Sequence, residues 1–501
     1  MFLPLTAGPL TMMFDTEIAF LRYVRFGGQE LVRGVFVAVR DRDWNTIPFS
    51  IDDLNVDQTV DTFSIHFVAN SLSRDVAFHW QGTIDGTCNG AVRYRFEGES
   101  AAPFYRNRIG LCVLHPTGEC AGNSCLIEHV DGSSTHGIFP LHISPHQPFK
   151  NVRSISHSIQ KGCRVRVSMS GESFETEDQR NWTDASYKTY STPLELPFPV
   201  RVEKGTVLEQ SVTIELLGGD LPKLSSVVVD NDVDDIVDNG RCKVAIDWTQ
   251  PIRRPEIGFQ WPSHFKSVPN AVIHRLLTLR PDHLRIDLRL NQPEWQIELQ
   301  SAIEIAQSMD VQLEMAIFTD NAADAIWQEL IWSLQKVGAR VARILLFHTT
   351  EKTTPTDLVA AALGSLRSID RKMQIVVGTN GYFAELNRGR PTPIEDCPVC
   401  YSLNPQVHAF DNLSLSETIE AQRATVDSAV QTFLTDVVIS PVTLRPRFNP
   451  NATSSIDLAT ELETAIDLRQ STGFGSAWTA GVFASLLTHP NVHSLTVPSD
   501  A

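Results

Sequence analysis

The stretch Gly378–Asn412, GTNGYFAELNRGRPTPIEDCPVCYSLNPQVHAFDN, sets amides, carboxylates, guanidinium groups and an imidazole against two short apolar runs, QIVV just before it and VCYSL within it. A turn between strands needs only the permissive backbone of Gly, Asn or Asp. The extra polar chemistry beyond the strand ends suits a ligand site, because desolvated polar groups must find paired donors and acceptors. Glu385 and His408 are among the groups here that can move a proton, and Asn380, Asn387 and Asn404 are donors and acceptors that can hold a ligand. Each also has a plainer use. Glu385 could pair with Arg388 or Arg390 as an ordinary loop carboxylate, since the segment after the QIVV strand shows no clear helix of its own. His408 could cap a following helix.

Such groups need rigid elements to aim them, and the second half of the chain supplies a strand–helix rhythm. The apolar runs EIGFQW, HLRIDLRL, VQLEMAIF, ARILLFH, QIVVGT, VCYSLN, DVVISPV and HSLTV alternate with the helical candidates PEWQIELQSAIEIAQSM, ADAIWQELIWSLQKVG, PTDLVAAALGSLRSI, SETIEAQRATVDSAVQTF and SIDLATELETAIDLRQ. Nearly continuous apolar strands are the mark of a sheet covered on both faces, and eight of them over roughly 250 residues fit a TIM-type (β/α)8 barrel. An open doubly wound sheet fits less well, for want of a Gly-rich dinucleotide loop. The chain stops soon after HSLTV, so this barrel is expected to lack its last helix.

Barrel sites lie beyond the carboxyl ends of the strands. That ring contains Arg285, Asp287 and Arg289 at strand two, Glu314 and Asp320 at strand three, and His348 and Glu351 at strand four. Strand five adds Asn380, Glu385, Asn387 and Arg388, strand six Asn404, His408 and Asp411, and strand seven Arg445, Arg447 and Asn449. The mixture suits a polyhydroxylated ligand. Asp287 and Glu314 have apolar strand neighbours and could instead be interior partners of Arg285 and Arg289. Arg445 and Arg447 stay protonated and fork onto carboxylates or oxyanions, so they are expected to bind rather than to transfer protons.

The first half reads differently. Short alternating runs such as DTFSIHFVAN, VAFHWQGTID and GAVRYRFEGES, separated by turn residues, predict an antiparallel β-sandwich of about eight strands. The acidic segment VDNDVDDIVDN, Val229–Asn239, reads as a solvated connector. This gives two domains, a sandwich over 1–235 and a barrel over 236–501 that carries the site. Within the sandwich, FETEDQRNWTDASYKTY (Phe174–Tyr190) reads as a salt-bridged polar loop packed on the barrel.

A net charge of -17 without long basic blocks argues against nucleic acid and anionic membranes as partners. No apolar run approaches the roughly 20 residues of a membrane span, and MFLPLTAGPLTMMF lacks the basic start and cleavage site of a secretory signal, pointing to a cytoplasmic protein. Eight cysteines in 501 residues form no disulfide framework and are expected to be reduced, half-buried thiols. Cys397-Pro-Val-Cys400 has no second ligand pair. His115, His129, His136, His142 and His146 lie among prolines that prevent one helical face, so no metal or other cofactor is expected. Self-association into a homo-oligomer is left open.

The familiar glycosidase arrangement needs acids after strands four and seven, and SPVTLRP has none. No G-x-S-x-G elbow is present either. Hydrolysis by an activated water is the simplest remaining chemistry. The segments FETEDQRNWTDASYKTYSTPLELPFPV, GYFAELNRGRP, SLNPQVHAFDN and SPVTLRPRFNP together resemble the D-apionate lactonase family of bacterial apiose catabolism. The resemblance spans most of the chain. It implies a β-sandwich before a TIM-type barrel, hydrolysis of the sugar lactone D-apionolactone to D-apionate, and relatives that continue into a further β-rich segment.

The residue roles are inferred from the sequence itself. Glu385 or Asp287 would activate water, His408 would protonate the leaving alkoxide, and Asn380, Asn404 and Arg445 or Arg447 would steady the oxyanion, with Asn387 beside them. Two alternatives stand beside this carboxylic ester hydrolase. One is a glycoside hydrolase with the unusual acid pair Glu314 and Glu385, and the other a truncated, non-catalytic carbohydrate-binding relative.

Overall fold

The computed structural model describes residues 1–73, 75–159, 162–218, 237–238, 241–242, 253–261, 270–320, 324–338, 340–366, 373–448 and 467–498. They belong to two compact units, Met1–Asp178 with Ser186–Pro251, and Gln179–Ala185 with Ile252–Ala501. Of the expected connector, only Val237–Asp238 is among the described residues, paired with Arg241–Cys242.

The first unit is a 17-stranded antiparallel sheet, about twice the expected number of strands. The extra strands include Phe2–Ala7 and Leu10–Asp15, which pair with each other at the start of the chain. Burial alternates along its strands, as in Phe63–Leu72 and Ala91–Ser100, because successive side chains point to opposite faces. The inward set, among them Phe67, Phe78, Trp80, Tyr94 and Phe96, joins one apolar cluster running from Leu5 to Ile214. Each such side chain contributes about 1.5–3 kcal/mol by leaving water.

Phe174–Tyr190 is not an irregular loop. Phe174–Asp178 and Ser186–Tyr190 are paired strands, with Lys188 Nζ 2.6 Å from Glu177 Oε1. The segment between them contains a 3-10 turn, Gln179–Trp182, and belongs to the second unit.

In the second unit eight parallel strands close a barrel, each where the apolar runs predict one: Glu256–Gln260, His283–Arg289, Gln312–Phe318, Val341–Phe347, Gln374–Tyr382, Val399–Leu403, Val437–Val442 and Val492–Pro498. Strand eight closes it by pairing with strand one, Glu256 opposite Ser494. Alternate residues Ala316, Phe318, Leu345, Phe347, Val376, Cys400 and Val438 form an apolar cluster.

The helices Trp295–Met309, Asp324–Val337, Thr356–Leu366 and Asn412–Phe433 match the periodicity. Three more were not expected: Asn270–Thr278, Phe383–Gly389 and Gly473–Leu486. The helix expected over 455–470 lies outside the described residues up to 466, and Leu468–Ser471 form a 3-10 turn. Residues 499–501, which follow strand eight, also lie outside them.

Among the described residues no helix is long and apolar enough to cross a membrane. Six described cysteines are fully rather than half buried, and Cys88 is exposed.

Candidate active site

One glycine sets the close approach of strand five to strand six. Gly378 has φ +157°, and a Cβ there would lie 2.0 Å from the Cys400 carbonyl oxygen, so only glycine lets strands five and six approach this closely. The register between them shifts between Gly378 and Tyr382, freeing Thr379–Gly381 from the regular ladder. Side chains replace the lost ladder bonds. Thr354 Oγ1 accepts the Gly378 N–H at 3.0 Å, Thr379 Oγ1 donates to the Lys352 carbonyl at 2.6 Å, and Ser402 Oγ donates to the Gly381 carbonyl at 2.8 Å.

The bulge holds Asn380 in one orientation. Its Oδ1 accepts from Arg285 Nη2 at 3.1 Å and from Arg447 Nη2 at 2.7 Å. Two guanidinium donors on the oxygen leave the amide nitrogen as the end that can donate to a ligand.

The chain then enters the helix Phe383–Gly389, whose first turn carries Glu385. The Tyr382 N–H donates to Glu385 Oε2 at 2.9 Å. A Cβ on Gly381 would lie 3.2 Å from Glu385 Cγ, so the glycine leaves room for this carboxyl. Glu385 is 6% exposed. Burial pushes its pKa above the ordinary carboxylate value, and the Tyr382 N–H, Lys352 and Arg388 offset this only in part. Such a carboxylate is a stronger base than a solvated one.

Glu385 and Asn380 line a pocket of about 340 Å³ together with Arg289, His348, Lys352 and Phe448. The residues of this lining come from the ends of strands two to five and the segment after strand seven, the face where barrel enzymes build their sites. Arg289 lies over the Phe318 ring at 4.7 Å. Tyr382 stacks on Phe448 with centroids 6.1 Å apart and donates its hydroxyl to the Phe448 carbonyl at 2.7 Å.

Charged groups inside the barrel support this rim. Arg285 bonds Asp287 Oδ1 at 2.9 Å and Ser440 Oγ at 3.0 Å, and Arg447 lies 3.7 Å from Asp287 Oδ2. Burial alone would raise the Asp287 pKa, but Arg285, Arg447 and Arg289 outweigh it and hold the carboxyl below its usual value. Glu314 is fully buried. It receives Arg343 at 2.7 Å, Thr496 at 3.0 Å and the Ser440 hydroxyl. Burial opposes its ionisation, yet His283, Arg343 and Arg285 lower its pKa to about 2.

Two family models match the chain in order: the N-terminal domain of D-apionate lactonase over residues 2–219 and its TIM barrel domain over residues 260–499. A curated D-apionate lactonase from Brucella anthropi is 30% identical over 448 residues, covering 83% of this chain and 68% of that protein. The chain belongs to the D-apionate lactonase family. Solved structures similar to this lactonase-family chain are more distant. A beta-arabinopyranosidase is 12% identical, with a TM-score of 0.29 over 98% of this chain and 86% of its own. The GH53 catalytic domain of Ignisphaera aggregans is 10% identical, with a TM-score of 0.31 over 45% of this chain and 76% of its own.

The lactonase-family barrel gathers some of the expected residues and separates others. Asn380 and Glu385 line the pocket, and Arg447 and Asp287 brace Asn380. Glu314 does not line it, because its carboxylate is saturated inside the barrel, so Glu314 and Glu385 form no acid pair across one pocket. Asn387 Nδ2 donates to Asn181 Oδ1 at 3.0 Å. His408 Nδ1 lies 2.7 Å from Asp184 Oδ2, with its ring edge-on to Trp182 at 5.3 Å between centroids. These contacts tie both residues to Gln179–Ala185. The helix that His408 was expected to cap is capped by Asp411, which accepts the Ser414 N–H at 3.0 Å.

Asn404 is buried, with Oδ1 accepting the Gln406 N–H at 3.1 Å, and Arg445 is exposed. Asn449 lies outside the described residues. Lys352 was missed, although it directly follows the ranked Glu351. Among the described residues no three His, Cys, Asp or Glu side chains converge as a metal site.

Proposed function

We propose that this chain hydrolyses D-apionolactone, a five-membered sugar lactone, to D-apionate. The observation that carries the reading is the buried carboxyl of Glu385, its pKa raised, beside the oriented Asn380 amide in one barrel-mouth pocket of a D-apionate lactonase family member. Glu385 takes a proton from water as the water oxygen bonds to the lactone carbonyl carbon. The carbonyl electron pair moves onto oxygen, where the Asn380 Nδ2 hydrogen bond steadies it. Such a donor accounts for roughly 3–4 kcal/mol of the barrier.

When the intermediate collapses, the ring C–O bond breaks and Glu385 returns its proton to the departing alkoxide. One group thus serves both steps, and the reading needs no proton from His408. Arg289 and Lys352 supply positive charge for the substrate oxygens and the carboxylate product. Asp287 and Glu314 act from inside the barrel, Asp287 by holding Arg285 and Arg447 on the Asn380 oxygen.

Purified protein and its Glu385→Gln variant, assayed on D-apionolactone and a panel of other aldonolactones, test this. The wild type is expected to open the lactone, and the variant to lose about 10²–10⁴ in kcat. A wild type inactive on every lactone would remove the function, whereas an undiminished variant would remove only the base.

A further inference from the structure

Asn380 alone makes a one-donor oxyanion site, and the same pocket holds a second group in a fixed state. His348 follows strand four and lines the pocket with Asn380 and Glu385. Its Nδ1 accepts the backbone N–H of Glu351 at 3.0 Å and of Thr350 at 3.2 Å, and the Thr350 hydroxyl lies 3.3 Å away. A nitrogen that receives two N–H donors presents its lone pair to them, so the neutral ring carries its proton on Nε2. Among the described residues nothing bonds that Nε2–H, and the ring belongs to the pocket lining.

We propose that His348 is a catalytic hydrogen-bond donor to the lactone carbonyl oxygen, acting through Nε2–H as a neutral imidazole. The assignment rests on the lactone-hydrolysis reading above and adds the second donor to it. As water attacks, the carbonyl π pair settles on oxygen. His348 and Asn380 each direct one N–H at it, and no proton leaves the imidazole. The ring therefore works as a fixed electrophile, while proton transfer stays with Glu385. His348 is suited to this because its other nitrogen is held by the backbone of its own loop, so the ring keeps its orientation without a carboxylate partner.

Three variants separate this role from simple support of the Thr350–Glu351 turn. His348→Ala is expected to lower kcat on the lactone about 10²–10³-fold, with KM changed no more than a few-fold. His348→Gln puts an amide N–H near the Nε2 position and is expected to recover at least 10-fold of that loss. His348→Asn keeps an acceptor near the Nδ1 position for the turn but has no donor at Nε2, and is expected to stay as slow as His348→Ala. Rescue by Asn and not by Gln would make His348 a turn anchor and overturn the proposal. So would His348→Ala turning over at the wild-type kcat, while a wild type inactive on all lactones would overturn the underlying reading and this assignment with it.

Discussion

Glu385 and Glu314 are both almost wholly buried, yet their surroundings move them in opposite directions. Around Glu385 the Tyr382 N–H, its own backbone N–H, Lys352 and Arg388 offset burial only in part, so burial wins and its pKa rises. As a base it works when ionised, so the acid limb of kcat/KM is expected above the ordinary value of 4.5 and is expected to vanish in Glu385→Gln. A limb at or below that value would contradict the assignment.

Glu314 has Arg343, His283 and Arg285 around it, and its folded pKa drops from 4.5 to about 2. A lowered carboxylate pKa adds stability that is fully present above about 4.5 and is lost as pH falls through about 2. Glu314→Gln is therefore expected to cost about 3–5 kcal/mol at pH 7, since it leaves Arg343 short of a buried partner. Urea unfolding at pH 7 and pH 3 should show that cost shrinking at the lower pH. A pH-independent cost would mean that packing, not charge, sets it.

Glu385, Asn380 and Arg447 stand out in the sequence as polar groups after apolar runs. The bracing of Asn380 does not, because Arg285 and Arg447 reach it from strand two and from beyond strand seven. The His348 tautomer is also hidden, since it depends on which nitrogen faces the backbone of the next turn.

Among the elements, the eight barrel strands were legible because nearly all are apolar runs buried on both faces. The helix Phe383–Gly389 was not. It has only seven residues, too few to show a period or to persist alone. Its stability comes from burying Phe383, Ala384 and Leu386, and from the Tyr382 N–H bond to Glu385.

Gly473–Leu486 was obscured by its three glycines. At one of them, Gly481, a Cβ would lie 2.5 Å from Ile419 Cδ1, so this glycine serves close packing against the helix Asn412–Phe433 rather than a turn. Gly378 carries the site most directly. Gly378→Ala is expected to cost about 2–3 kcal/mol by overpacking against Cys400 and to lower kcat by displacing Asn380. Unfolding midpoints and steady-state kinetics on the same sample would check both, and a variant normal in both would show that the bulge does not need glycine.

For the whole molecule, residue patterns led as far as an all-β half, a parallel barrel and a polar strand-end ring. The strand count of the first half was underestimated, because hairpins such as Phe174–Tyr190 carry charged residues that read as loop. Composition suggests a hydroxyl-rich ligand but no particular lactone, since a ring of amides and guanidinium groups suits many sugars. The resemblance to one family depends on four motifs spread over both halves, and the family matches over residues 2–219 and 260–499 agree with that family. A net charge of -17 would slow approach of an anion but not of a neutral lactone. Screening does not alter the approach of a neutral molecule, so kcat/KM on the proposed lactone is expected to change little between low and moderate salt.

The most direct test is proton release from D-apionolactone at constant pH by the 501-residue chain, corrected for spontaneous opening. The account predicts saturable turnover that produces one equivalent of D-apionate and falls at least 100-fold in Glu385→Gln. Opening no faster than the uncatalysed rate, with the protein folded, would contradict it.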